Sequence, residues 1–89
     1  MYQVIPVNNF FKQLKKLKNH KLEKSIHGVC IPQLQVNPME GPSIGRYHQG
    51  NKEWKWRDGD YRVRYTVRGN IVTLHLVGHR NKIYRQSID

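Results

Sequence analysis

The spacing of apolar residues changes period along the chain, and each change predicts a different element. Tyr2-Gln3-Val4-Ile5-Pro6-Val7 alternates over a short stretch and is closed by Pro6 and the turn pair Asn8-Asn9. A proline withholds a ladder donor, so this strand belongs at an edge or ends there. Phe10, Leu14 and Leu17, with Phe11 alongside, then recur at helical spacing, and Lys12, Lys15, Lys16 and Lys18 take the remaining surface. Either asparagine is a suitable cap for this helix. Asn19-His20 interrupts the pattern. A second helix is predicted from near Lys21, with Leu22, Ile26, Val29 and Cys30 as its apolar stripe, continued by Leu34 if the helix survives Pro32. Gly28 and Pro32 both disfavour helix interiors, which predicts a kink or an early end. Between Asn37 and Gly50 fall Pro38, Gly41, Pro42 and Gly45, so this stretch reads as a long connecting loop.

Beyond Gly50 the period becomes two. Lys52–Asp58, Tyr61–Arg68 and Ile71–His79 read as strands, joined through Gly59-Asp60 (or Asp58-Gly59) and through Gly69-Asn70, a two-residue hairpin signal. The order is β-α-α-β-β-β: an α+β domain over residues 1–89, with two helices packed on one face of a small, mainly antiparallel sheet. If Gly69-Asn70 closes a two-residue hairpin, Arg68 faces Ile71, Val67 faces Val72, Tyr65 faces Leu74 and Val63 faces Leu76. Parity then puts these side chains, with Trp54 and Trp56, on one apolar face. Lys55, Arg57, Arg62, Arg64, Arg68, Thr66, Thr73, His75 and His79 fall on the other. Lys55 or Arg57 then lies across from Arg62, and Arg64 across from His75. Like charges set directly opposite are destabilising. Three adjacent strands carrying one sign of charge therefore point to a bound polyanion more than to a merely solvated face.

Composition sharpens this picture. Sixteen Lys+Arg against six Asp+Glu give a net charge of +10. Residues 1–50 hold seven basic and two acidic side chains and residues 51–89 nine and four, so each part carries +5 and the charge is no detachable tail. The single cysteine, Cys30, allows no internal disulfide and reads as core packing. No apolar run approaches the ~20 residues of a membrane span, and there is no secretory-type segment at the N-terminus, so a cytoplasmic protein is expected. Metal chemistry finds little support. His75 and His79, four apart on one strand, have Cα atoms about 13 Å apart, and no cluster of ligand spacing appears. Glu53, Asp58 and Asp60 lie at strand ends or turns, where the aspartates act first as turn formers. No Gly-rich phosphate cradle joins a strand to a helix. Neither metal nor organic cofactor is expected.

Cation-rich chemistry on a phosphodiester is what the residues best support. RNA brings its own nucleophile, the 2′-hydroxyl. A protein then needs groups to take and give protons, and preorganised positive charge around the developing phosphorane. The stretch Trp54–Tyr65, with Gly59-Asp60-Tyr61-Arg62-Val63-Arg64-Tyr65, followed by Val77-Gly78-His79-Arg80 and Ile83-Tyr84-Arg85, resembles the RelE/ParE superfamily of toxins from toxin–antitoxin systems. The specific similarity covers about the last 35 residues; over the first half only the β-α-α layout is shared. The resemblance implies a RelE-like fold and a metal-independent endoribonuclease that cuts mRNA on the ribosome, leaving a 2′,3′-cyclic phosphate and a 5′-hydroxyl. It implies catalytic roles for Lys55, Arg62, His79, Arg80 and Tyr84. Arg62 and Arg80 would stabilise the phosphate, Tyr84 would stack on or orient a base, and His79 would be an acid or base. Lys52, Arg57, Arg64, His75, Lys82 and Arg85 would bind RNA. Two departures stand out: Glu53 occupies a place where some relatives carry lysine, and Gly78 to Tyr84 is a shorter gap than in some members. The family further implies an acidic antitoxin that covers the basic surface. Two alternatives stay open: a ParE-like inhibitor of DNA gyrase, and an RNA- or ribosome-binding module without chemistry.

Overall fold

In a computed structural model, described over residues 1–88, the chain forms β1 (Gln3–Pro6), α1 (Asn8–Leu17), α2 (His20–Ser25), a π-helical turn (Ile26–Cys30), α3 (Ile31–Val36), β2 (Ser43–His48), β3 (Asn51–Asp58), β4 (Tyr61–Arg68), β5 (Ile71–His79) and α4 (Arg80–Ile83). The strands make one sheet in the order β1-β5-β4-β3-β2, with β1 parallel to β5 and every other pair antiparallel. The α+β class, the mainly antiparallel sheet and the edge position of the Pro6 strand match the sequence reading. Two elements were not legible in it. The segment read as a loop contains β2, and a short α4 follows β5.

Neither Asn8 nor Asn9 caps α1; Val7 occupies that position without a side-chain bond. Lys18 closes α1 in the left-handed conformation (φ 49°), and Asn19 caps the next helix by accepting from the Leu22 N–H at 3.0 Å. The chain stays helical through Pro32 to Val36, so the early end expected as one alternative is not seen, and at Gly28 the helix widens into the π turn. The reason lies in the spacing of the buried residues. Leu22, Ile26, Cys30 and Leu34 follow one another at intervals of four and are all buried. In a straight α-helix that interval drifts by about 40° per step, roughly 120° in all. The π turn, in which the Ile31 N–H donates to the Ile26 carbonyl, takes up one extra residue and realigns the stripe. Pro32 falls in the first turn of α3, where its missing N–H costs little. Val29, expected in the stripe, is exposed.

These helices cover one sheet face, where Phe10, Leu14, Leu22, Ile26, Cys30 and Leu34 meet Val63, Tyr65, Val72, Leu74 and Val77. Trp54 lies opposite Tyr65 and Trp56 opposite Val63, both packed against this core, as parity predicts. Burial pushes the Cys30 thiol up to about 12, so it stays protonated and acts as packing.

The β4–β5 register holds as expected from Arg68–Ile71 to Tyr65–Leu74 and then shifts. His75 is the extra residue of a β-bulge, so Leu76 lies opposite Arg64, Val77 opposite Val63, Gly78 opposite Arg62 and His79 opposite Tyr61. The expected pairings of Val63 with Leu76 and of Arg64 with His75 are thereby corrected. Every side chain of β5 beyond the bulge changes face. Val77 joins the helix-covered core, while Leu76 is buried on the second face, the side on which Ile83 packs down. A Cβ on Gly78 would come within 3.3 Å of Ile83 Cδ1, so a glycine there lets α4 sit close. The Val77 N–H lies beyond the last β1–β5 pair, Pro6–Leu74, and donates instead to Gln13 Oε1 of α1 at 2.9 Å.

Candidate active site

The second face is assembled from alternate residues of three strands: Glu53, Lys55 and Arg57 of β3, Thr66, Arg64 and Arg62 of β4, and Thr73, Leu76 and Gly78 of β5. After β5 the chain turns back through α4, and residues 84–88 form a strap along this face. Lys55 lies across from Arg64, and Arg57 across from Arg62. Between the two alternatives posed by the sequence, Arg57 is therefore the partner of Arg62.

Lys55 is half-buried, and its Nζ sits 5.6 Å from the centre of the Tyr84 ring. At that distance the ring face attracts the ammonium and fixes its direction. Arg46 of β2 donates from Nη1 to the Tyr84 carbonyl at 2.6 Å. Among the described residues the Tyr84 hydroxyl is buried without a hydrogen-bond partner. What Tyr84 offers its surroundings is its ring.

Two arginines each bind the β3–β4 turn. Arg62 Nη1 donates to the Gly59 and Tyr61 carbonyls at 2.7 and 2.8 Å. Arg80, from the start of α4, places Nε 3.6 Å from Asp60 Oδ1, and its backbone N–H donates to the Asp60 carbonyl at 2.8 Å. That ion pair is solvent-exposed on both sides and worth little by itself, but it draws Arg80 toward the turn that also anchors Arg62. Arg57, Lys82 and Arg85 are exposed. Lys55, Arg57 and Arg62 thus share the second face, with Tyr84 against Lys55, while Arg62 and Arg80 each bind the β3–β4 turn.

Other expected site residues stand elsewhere. His79 shares the face of Tyr61, whose ring it meets edge-on at 5.8 Å, because the bulge inverted its parity. Its Nδ1 accepts the Asn81 N–H at 3.2 Å and caps α4. Arg64 is 1% exposed and bound to Glu53, with Nη2 and Nε at 2.7 and 3.3 Å from Oε2, so it is closed off from any RNA. His75 contacts Thr66 Oγ1 through Nε2 at 2.8 Å and lies edge-to-face with His48 at 5.4 Å. Burial first, then the neighbouring His48, lowers its pKa to about 4. It carries no charge at neutral pH and cannot serve as a cation for phosphate. Lys52 is on the face of Trp54, 5.1 Å from that ring, and near the opposite end of β3 from Arg57. Arg46 escaped the sequence reading because it lay in the presumed loop; the Gln49-Gly50 hairpin and the strand length from Ser43 to His48 were the signals available. Among the described residues, no group of three or more His, Cys, Asp or Glu side chains could hold a metal ion.

An α+β domain with a five-stranded, mostly antiparallel sheet and helices matches RelE-like toxin structures. The model of the ParE toxin family of type II toxin–antitoxin systems (parDE) matches residues 6–84, and the chain belongs to that family. It is the toxin of a type II toxin–antitoxin system. Among solved structures, the RelB–RelE antitoxin–toxin complex from Methanococcus jannaschii is similar at 27% identity and a TM-score of 0.65, over 91% of this chain and 95% of that one. A copper-bound mutant toxin from Helicobacter pylori shares the fold at 17% identity and a TM-score of 0.66, over 92% and 98%. No curated protein matches the chain. Among the described residues no helix is long and apolar enough to cross a membrane.

Proposed function

We propose that this toxin is a metal-independent endoribonuclease that cleaves mRNA during translation. The observation that carries the reading is the Lys55 ammonium held against the Tyr84 ring on the same sheet face as the facing pair Arg57 and Arg62. Two arginines directly opposite one another repel, and a phosphodiester between them would relieve that repulsion. In the reaction the 2′-oxygen bonds to phosphorus as the bond from phosphorus to the 5′-oxygen breaks. The 2′-hydroxyl gives up its proton, the leaving oxygen gains one, and the products are a 2′,3′-cyclic phosphate and a 5′-hydroxyl. Arg62 and Arg80 stand near the turn where they would stabilise the charge that grows on the equatorial oxygens. Lys55 would exchange the proton. The Tyr84 ring orients Lys55 and would stack on or orient a base.

The test is primer extension on mRNA from a translation reaction supplied with the toxin. Cuts confined to translated codons are expected, falling roughly 100-fold or more in Arg62→Ala or Arg80→Ala, the scale of losing a preorganised charge donor. Lys55→Arg keeps the charge but not the proton transfer, and should cost nearly as much as Lys55→Ala. Full activity in Lys55→Arg would remove Lys55 from the chemistry.

A second reading, inhibition of DNA gyrase, draws on the match to the ParE family. A supercoiling assay run in parallel distinguishes them: gyrase-linked DNA breaks with intact mRNA would replace the nuclease reading. An antitoxin partner, as in the complex from M. jannaschii, fits the +10 charge of this chain, which favours an acidic segment.

A further inference from the structure

We infer that the buried Glu53–Arg64 ion pair is a positioning device, which sets the path of the C-terminal strap and so holds the Tyr84 ring against Lys55. Arg64 spends its donors in two directions. Nη2 and Nε bind Glu53, while Nη1 donates to the Ile83 carbonyl at 2.8 Å and to the Gln86 carbonyl at 2.7 Å. Arg46 holds the Tyr84 carbonyl between them. Two guanidinium groups thus secure three carbonyls of a four-residue span, and among the described residues of that span Ile83 is the one buried apolar anchor. Past Tyr84, whose hydroxyl is buried, Arg85 and Ser87 of the strap are exposed. A hollow of about 420 Å³ lies on one side and one of about 310 Å³ on the other, each lined by Ser87 and Ile88. Hydrogen bonds from Arg64 and Arg46 to these carbonyls, joined by that of the Gln13 side chain to the Gln86 side chain, therefore hold the backbone of residues 83–86 in place.

Stability alone does not account for such a pair. Removing two charges from water is costly, and apolar residues of similar volume often serve a core as well or better. An apolar pair could not bind the Ile83 carbonyl at the end of α4, which lacks a partner within so short a helix, nor the Gln86 carbonyl of the strap. Glu53 has a further effect on Lys55, which lies directly across from Arg64. With Arg64 paired to Glu53, the Lys55 ammonium is left to the Tyr84 ring. The glutamate thus supports the site from beneath.

The catalytic half of this inference rests on the proposed RNA cleavage; the positional half does not, and one experiment separates them. The upfield NMR shift that the Tyr84 ring imposes on the Lys55 ε-methylene reports their contact, with Tyr84→Leu defining its absence. The double variant Glu53→Met/Arg64→Met should stay folded and lose that shift. Should it fail to fold, Arg64→Lys replaces it, since an ammonium can keep Glu53 but cannot span both carbonyls. In the same variant kcat for RNA cleavage should fall roughly 100-fold with KM nearly unchanged. A folded variant that keeps the shift overturns the positioning role. Loss of the shift with kcat unchanged overturns its link to catalysis. A wild-type protein that shows the shift but cuts no RNA refutes the nuclease reading and leaves the positioning intact.

Discussion

Tyr84 and His75 show how burial changes what a residue type can do. The Tyr84 ring faces Lys55 while its hydroxyl is enclosed without a partner among the described residues. An unpaired buried hydroxyl costs about 1–3 kcal/mol of desolvation. Tyr84→Phe should therefore be at least as stable as wild type by thermal denaturation and keep most of its cleavage activity, whereas Tyr84→Ala should lose it. A strong loss in Tyr84→Phe would instead assign proton transfer to the phenol. His75 carries the opposite lesson. Its folded pKa of about 4 lies below the ordinary histidine value, with His48 and Arg64 adding to the burial effect and Glu53 opposing it. A depressed histidine pKa means that the unfolded chain binds the extra proton. The stabilisation is complete above about pH 6.5 and is lost as pH falls toward 4. Denaturant titrations should show roughly 1–2 kcal/mol lost across that window, after discounting for partial exposure, and His75→Asn should abolish this slope.

At the scale of elements, two local irregularities shape the site. The His75 bulge moves Leu76 to the second face, where with Ile83 it gives α4 an apolar seat, and it turns His79 away from Arg62. The β2–β3 hairpin supplies Arg46. Its two central residues, Gln49 and Gly50, both have positive φ (51° and 80°), the pattern of a type I′ turn. Glutamine is strained there, and asparagine tolerates the left-handed region far better. Gln49→Asn should stabilise the protein by about 0.5–1 kcal/mol, read as a shift in denaturation midpoint with no change in m-value. No stabilisation would contradict the turn assignment.

For the whole molecule, the +10 charge is divided between surfaces with different tasks. Arg64 is consumed inside the fold and Lys52 lies on the helix-covered side, whereas Arg57 and Arg62 face each other at one end of the second face and Arg80 reaches the adjoining β3–β4 turn. If that end holds the phosphate chain, the slope of log affinity against log salt for a short RNA should shrink by about 0.7 for each phosphate-binding cation removed. Arg57→Ala should show that reduction, and Lys52→Ala should leave the slope unchanged. Equal effects from both would mean that RNA binds the surface without preference for this face.

The sequence by itself determined much that depends on short-range period in the C-terminal strands. Alternation sorted Trp54, Trp56, Val63 and Tyr65 from Lys55, Arg57 and Arg62, because neighbouring side chains on a strand must point to opposite sides. Gly69-Asn70 set the register as far as Leu74. Arg62, Arg80 and Tyr84 were singled out by resemblance to a family motif, not by period. Tertiary structure decided whatever depended on distant partners. The bulge at His75 is settled by the burial of Leu76 and Val77 on different faces, the helix through Pro32 by a stripe that only a π turn could align, and the role of Arg64 by a carboxylate eleven residues earlier and carbonyls some twenty later. An arginine at an alternating position looks the same in the sequence whether it meets solvent or a buried glutamate; only the folded chain brings in the partner that distinguishes the two.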